Sequence, residues 1–147
     1  MSKGEETNKG KSIRCLIVED DFYSRNLLNK YLEGHFDCDL AVDGNEAIVA
    51  FQKALSENNP YKLIMLDILM PNLNGHDTLR FIREIENDNG IFGLDGVKVV
   101  MTTAYGDSRN VMSAFRNGCE SYLVKPILKN QVMEELQKLN MFCETAN

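Results

Sequence analysis

Five short apolar runs alternate with five segments of helical periodicity, and that alternation leaves few folds open to the chain. The runs are IRCLIV (13–18), CDLAV (38–42), YKLIML (61–66), VKVVMT (97–102) and SYLV (121–124). Three of them are nearly unbroken Val, Ile, Leu and Met, the composition of strands covered on both faces. Between the runs, apolar residues recur at i, i+3 and i+4. Leu27, Leu28, Tyr31 and Leu32 do so in 22–33, and Ala47, Ile48, Phe51, Ala54 and Leu55 in 44–57. Leu79, Ile82 and Ile85 follow in 76–86, Val111, Met112 and Phe115 in 108–117, and Val132, Leu136 and Leu139 in 128–142. One-sided spacing of this kind marks amphipathic helices, so the methionines and aromatics among them read as core. The order βαβαβαβαβα predicts an α/β fold, a doubly wound five-stranded parallel sheet with helices on both faces. The Gly- and Asn-rich stretch 87–96 predicts a long loop before the fourth strand.

The size suits one domain. The chain has 147 residues, 44% of them hydrophobic, enough for a proper core. Residues 1–11 are polar, lack the apolar stretch of a secretory signal, and are expected to form a disordered tail. No apolar run is long enough to span a bilayer, so no membrane insertion is expected. A net charge of −6 and no Lys/Arg cluster argue against a phosphate backbone as a direct partner. Cys15, Cys38, Cys119 and Cys143 are scattered, without a CxxC pair, and His35 and His76 stand apart from them. Free thiols in a reducing compartment, with a cytoplasmic location, are the expectation.

In an open α/β sheet the functional crevice lies beyond the carboxyl ends of the strands. Glu19, Asp20 and Asp21 follow the first strand, Asp67 the third, Thr102 and Thr103 the fourth, and Lys125 the fifth. Asp43 and Gly44, after the second, read as a turn and helix cap. Asp67 stands out, because a carboxylate in the apolar run LIMLDILMP is costly unless paired or placed at a metal. The acidic triplet alone reads equally well as a capped first helical turn. Several carboxylates and one lysine at a single edge suit Mg2+, a hard cation that takes oxygen ligands. A carboxylate so placed can also attack phosphorus to give an aspartyl-phosphate. Thr103 and Lys125 would then hold the phosphoryl oxygens.

The motifs LIVEDD (16–21), MLDILMPNLNG (65–75), VVMTTA (99–104) and SYLVKP (121–126) resemble the receiver domain of two-component response regulators. The resemblance spans residues 12–143 and is of the single-domain, chemotaxis-regulator type, with no output domain expected. It implies a flavodoxin-like sheet of order 2-1-3-4-5 in a bacterial, cytoplasmic signalling protein. Asp67 matches the phosphoacceptor, taking its phosphoryl group from a histidine kinase. Glu19 and Asp20 match the acidic pair for Mg2+, with the backbone carbonyl of Leu69 as a further ligand. Thr103 matches the switch hydroxyl, Tyr122 the switch aromatic, Lys125 the phosphate-binding lysine and Gly75 the glycine after the acceptor strand. A cis Lys125–Pro126 bond is also implied.

The implied mechanism is a population shift. Phosphorylation adds charge and acceptor oxygens, Thr103 and Tyr122 rearrange, and the face of the fourth helix, fifth strand and fifth helix changes for a downstream protein target. The phosphodonor is a sensor histidine kinase or a phosphotransfer protein. Homodimerisation through the same face is left open, as are a role as intermediate carrier in a phosphorelay and a phosphorylation-independent scaffold. Leu69 and Tyr105 offer no charged or amide group to orient an attacking water, so slow to moderate autodephosphorylation is expected. An aspartyl phosphatase of haloacid dehalogenase type would need a second Asp where Leu69 stands. A flavodoxin-type phosphate cradle is excluded by the acids at 19–21. The chain is therefore expected to be a switch that promotes only its own phosphorylation and dephosphorylation.

Overall fold

The computed structural model describes residues 13–104 and 108–141. Five strands, β1 (Ile13–Val18), β2 (Phe36–Ala41), β3 (Leu63–Asp67), β4 (Lys98–Thr103) and β5 (Ser121–Val124), form one parallel sheet in the order β2-β1-β3-β4-β5. Five helices connect or follow them: α1 (Phe22–Leu32), α2 (Gly44–Ser56), α3 (Gly75–Asp88), α4 (Ser108–Arg116) and α5 (Lys129–Lys138). This is the doubly wound arrangement expected from the alternating pattern, with the strand order that the resemblance implied.

Helices cover both faces, which explains the unbroken apolar runs. Leu16, Val18, Ile64, Leu66, Val99 and Met101 pack against Ala47 and Phe51 of α2, Leu79 and Ile82 of α3 and Ala114 of α4. Cys15, Ile17, Leu63, Met65 and Val100 pack against Leu28 and Leu32 of α1 and Val132 and Leu136 of α5. Successive strand residues alternate between the two cores, as the pleat requires. Each fully buried Leu, Ile or Phe contributes about 1.5–3 kcal/mol relative to exposure. β3 has neighbours on both sides and is buried at every position, whereas β2, at the edge, exposes Asp37, Asp39 and Leu40. The acids on that edge discourage pairing with another chain.

Three helices that start at the carboxyl edge of the sheet carry side-chain N-caps. Asp21 accepts from the Ser24 N–H at 2.8 Å, Asp43 from Glu46 at 2.9 Å and Asn74 from Asp77 at 2.9 Å. Each bond satisfies an otherwise open backbone donor and fixes where the helix begins. Asp43 is thus the cap expected of it.

Two boundaries differ from expectation. α5 ends at Lys138 rather than 142, because Asn140 takes a left-handed conformation (φ 57°) and Met141 turns back into the core. The connection before β4 is shorter than 87–96, since α3 runs on to Asp88 and Gly93–Asp95 form a single 3-10 turn. That connection is pinned at its far end. Glu86, 4% exposed, accepts from the Val97 N–H at 2.7 Å, and Arg83 donates to the Val97 and Gly118 carbonyls. The expected tail at 1–11, Tyr105 and Cys143 lie outside the described residues.

Candidate functional site

At the carboxyl edge of the sheet, Asp67 is the last residue of β3 and only 3% exposed. Alternation places it on the α1/α5 face, in line with Leu63 and Met65. Glu19, one residue past β1, is wholly buried, and Asp20 beside it is exposed. Carboxylate oxygens of Glu19, Asp20 and Asp67 lie within 4.8 Å of one another. Lys125, one residue past β5, reaches across β4 and sets its Nζ 2.9 Å from Glu19 Oε1 and 3.3 Å from Asp67 Oδ1. Residues separated by up to 106 positions in the chain thus converge because every parallel strand ends at the same edge.

The electrostatics follow from that crowding. Burial, followed by the charge on Glu19, pushes the Asp67 carboxyl up to about 7, against the pull of Lys125. Burial acts to lower the Lys125 ammonium, but the hydrogen bond to Glu19 and the charge of Asp67 outweigh it, so its pKa is raised. One lysine therefore leaves the acids incompletely balanced. A second cation is the natural complement, and an all-oxygen set of acids, one of them exposed, fits Mg2+.

The backbone around these acids is held from several sides. Glu19 Oε2 accepts from the Asp21 N–H at 3.1 Å. Arg25, on the first turn of α1, donates to the carbonyls of Glu19 and Asp20 at 2.9 and 3.2 Å. The sequence reading missed Arg25; its only signal was a cation one helical turn beyond the acidic triplet. Gly75, the first residue of α3, allows that helix to start against the end of β3. A Cβ there would come within 2.4 Å of the Asp67 carbonyl oxygen and 2.7 Å of Ile68 Cα, and the Gly75 N–H donates to the Ile68 carbonyl at 2.8 Å.

Thr103 and Tyr122 occupy the other face. Thr103 is buried at the end of β4, in line with Val99 and Met101, and Tyr122 stands opposite Met101 on β5, packed against the same core. Structure thus gathers Glu19, Asp20, Asp67 and Lys125 into one cluster, and sets Thr103 and Tyr122 together beside α4. Leu69 lies two residues past Asp67 with its side chain 55% exposed. The Lys125–Pro126 bond is cis, as implied by the resemblance. Thr102 stands in register with Asp67, 1% exposed, and its hydroxyl has no hydrogen-bond partner among the described residues.

A family model described as the response regulator receiver domain matches residues 15–137. The regulatory protein VanRB of Enterococcus faecalis is 35% identical over 129 residues, 87% of this chain and 52% of VanRB. The chemotaxis protein CheY of Halobacterium salinarum is 31% identical over 124 residues, 84% of this chain and 92% of CheY. The chain spans about half the length of VanRB and of the transcriptional regulatory protein ResD of Bacillus subtilis. Among solved structures, the receiver domain of Ssk1 in co-crystals with the phosphotransfer protein Ypd1 of Saccharomyces cerevisiae matches with a TM-score of 0.75 and 29% identity, covering 86% of this chain and 88% of that one. The CheX–CheY–BeF3–Mg2+ complex of Borrelia burgdorferi matches with a TM-score of 0.78 at 24% identity, covering 91% and 93%, a likeness of fold. Among the described residues, no helix is long and apolar enough to cross a membrane.

Proposed function

The chain belongs to the response regulator receiver domain family of two-component signalling, and from that premise we propose that it is a phosphoacceptor switch whose acceptor is Asp67. The observation that carries the reading is the buried Asp67 carboxylate at a strand end, 3.3 Å from an ammonium and grouped with two further acids. In the proposed reaction an Asp67 oxygen attacks phosphorus of a phosphohistidine on a kinase or phosphotransfer protein. A P–O bond forms, the P–N bond breaks, and the imidazole leaves. Lys125 holds the acceptor in place and offsets charge on the transferred group. Glu19, Asp20 and Asp67, with the Leu69 carbonyl, would hold Mg2+, which when bound would screen the acids from the incoming phosphoryl oxygens. Arg25 keeps the acid-bearing turn in position.

Asp67 must be ionised to attack. With the carboxyl at about 7 in the absence of a divalent cation, only part of the population is competent at neutral pH. The switch itself uses Thr103 and Tyr122, whose shared face abuts α4. Engagement of the phosphoryl group by Thr103 would open space for Tyr122 and alter the α4–β5–α5 surface presented to a downstream protein. Chemistry is limited to the protein's own phosphorylation and its reversal, in a cytoplasmic setting.

The direct test is intact-mass measurement after incubation with Mg2+ and acetyl phosphate or phosphoramidate, alongside Asp67→Asn. One added phosphoryl group, about 80 Da, is expected in the wild type only. No gain with either donor after rapid quenching would overturn the acceptor reading in favour of a phosphorylation-independent scaffold. A gain that persists in Asp67→Asn would place the acceptor elsewhere.

A further inference from the structure

Away from the acidic cluster, β1 and β2 pair with Cys15 directly opposite Cys38. Register partners on neighbouring parallel strands project to the same face with their backbones about 4.8 Å apart. That spacing falls inside the Cα range of a disulfide, about 4.4–6.8 Å. Cys15 belongs to the core beneath α1 and α5 and Cys38 packs against that core, its thiol donating to the Phe36 carbonyl at 3.9 Å. Cys15 is completely buried, whereas Cys38 is half-buried on the edge strand. Both are free thiols in this structure. Cys38 is thus the more accessible of the two, with Cys15 in register behind it.

We propose that Cys15 and Cys38 form a peroxide-sensitive dithiol, an oxidative modification site that closes to a disulfide between β1 and β2. The Cys38 thiolate attacks hydrogen peroxide; an S–O bond forms, the O–O bond breaks, and the thiol proton leaves with the departing hydroxide as water. Cys15 sulfur then attacks Cys38 sulfur. The S–S bond forms, the S–O bond breaks, and hydroxide departs with the Cys15 proton as a second water. Two thiols give up two electrons and one peroxide becomes two waters, so no further reactant is needed.

The division of roles has support beyond geometry. The neighbouring Cys15 thiol lowers the Cys38 pKa, against burial and the charges of Asp37, Asp39 and Glu33, while burial raises that of Cys15. The product carries no charge and suits an apolar layer. Parallel-strand spacing sets the Cβ atoms further apart than a relaxed disulfide's roughly 3.8 Å, so the bond is strained and readily reduced. This makes a reversible mark rather than a structural staple, consistent with thiols that are normally reduced. Cys119 is the internal control: it is buried, its thiol pushed up to about 11 by that burial, and it lies outside the strands, in register with no other cysteine among the described residues.

The experiment treats the full chain with hydrogen peroxide, alkylates the remaining thiols under denaturing conditions, and combines intact mass with peptide mapping. The expected result is a loss of about 2 Da with two thiols protected, a mapped Cys15–Cys38 link, and full reversal by dithiothreitol. Cys38→Ser is expected to abolish the loss, and Cys15→Ala to leave a Cys38 sulfenic acid that dimedone traps. Cys38 that stays fully alkylatable at large peroxide excess, that goes to sulfinic acid with Cys15 still free, or that links only to Cys143 or a second chain would overturn the proposal. The wild-type map decides this even if either variant fails to fold.

Discussion

Replacing Asp67 with Asn should stabilise the protein, although it removes the proposed acceptor. The Asp67 carboxyl sits at about 7 instead of the ordinary 3.8, first because it is buried and second because Glu19 faces it. At about 1.36 kcal/mol per decade, ionising it in the fold costs at most about 4 kcal/mol. That ceiling already contains the attraction of Lys125, and local relaxation trims it, so about 1–3 kcal/mol is the expected gain at pH 8. The sign follows from the raised pKa. Between pH 3.8 and 7 the unfolded chain has released the proton and the folded chain still holds it. The stability contribution is therefore complete below pH 3.8 and is lost as pH rises through 7. The introduced amide mimics the neutral carboxyl, so the advantage of Asp67→Asn should be near zero at pH 4, grow through neutrality and level off above pH 8. Subtracting the two curves cancels groups such as Asp39, which against its burial is held low by hydrogen bonds from Tyr61 and Arg14, and Glu135, which the hydrogen bond from Ser121 holds low. The assay is urea denaturation of both proteins in chelator across that range, repeated with Mg2+. At ten times its Kd, Mg2+ adds about 1.4 kcal/mol to the wild type and should shrink the gap. A variant no more stable than wild type in chelator at pH 8, or an advantage that grows as pH falls, would refute the account of an unbalanced acidic cluster.

Lys125→Met removes the cation that competes for Glu19 and Asp67; Mg2+ affinity by calorimetry should rise several-fold while the rate of phosphorylation by acetyl phosphate falls, and a parallel fall in both would count against the assigned roles. Thr102→Val exchanges a buried hydroxyl that has no partner among the described residues for a methyl of like shape, so the urea midpoint should rise, worth about 1 kcal/mol. Gly75→Ala forces a Cβ into the Asp67 carbonyl and is expected to cost about 2 kcal/mol or more and to slow phosphorylation, because the backbone of the proposed acceptor must move. Arg83→Ala leaves Glu86 buried without its cation and opens the Gly118 and Val97 carbonyls; about 3 kcal/mol of stability should be lost, with little effect on the phosphorylation of molecules that remain folded.

Much of this could be read from residue order because the fold converts sequence position into spatial position by a simple rule. A parallel sheet collects whatever follows each strand at one edge, so Glu19, Asp20, Asp67 and Lys125 were recognisable as neighbours before any distance was known. Asp43 was recognisable as a cap from its place ahead of an apolar-periodic run. What escaped was contact between side chains of no periodic signature. Arg25 acts on the carbonyls of Glu19 and Asp20, and a backbone acceptor leaves no trace in composition. Arg83 joins Glu86, three residues on, to Glu120, 37 residues on, and only the second contact depends on the tertiary fold. The pairing of Cys15 with Cys38 required the strand register, which shifts every partner if it slips by one residue.

The extended connection before β4 shows what the same rule excludes. It runs from a helix into a strand, and in a parallel sheet every such connection lies at the amino edge, opposite the strand ends where Asp67 sits. β4 has six residues, so about 20 Å of strand separates that loop from the acids. Its anchors confirm the separation: Glu86 caps the Val97 N–H and Arg83 spans to Gly118 and Glu120, all at the entrances to β4 and β5. Gly90 and Gly93, both with positive φ, let the chain turn between α3 and that clamp without drawing on either core. The loop's length is therefore free of the chemistry proposed at Asp67. Shortening it between Asn89 and Gly96 should leave the rate of phosphorylation by acetyl phosphate within twofold of wild type, provided Arg83, Glu86 and Val97 keep their bonds. A deletion that keeps the fold and the clamp yet abolishes phosphorylation would show that the two edges of the sheet communicate in a way this geometry does not provide.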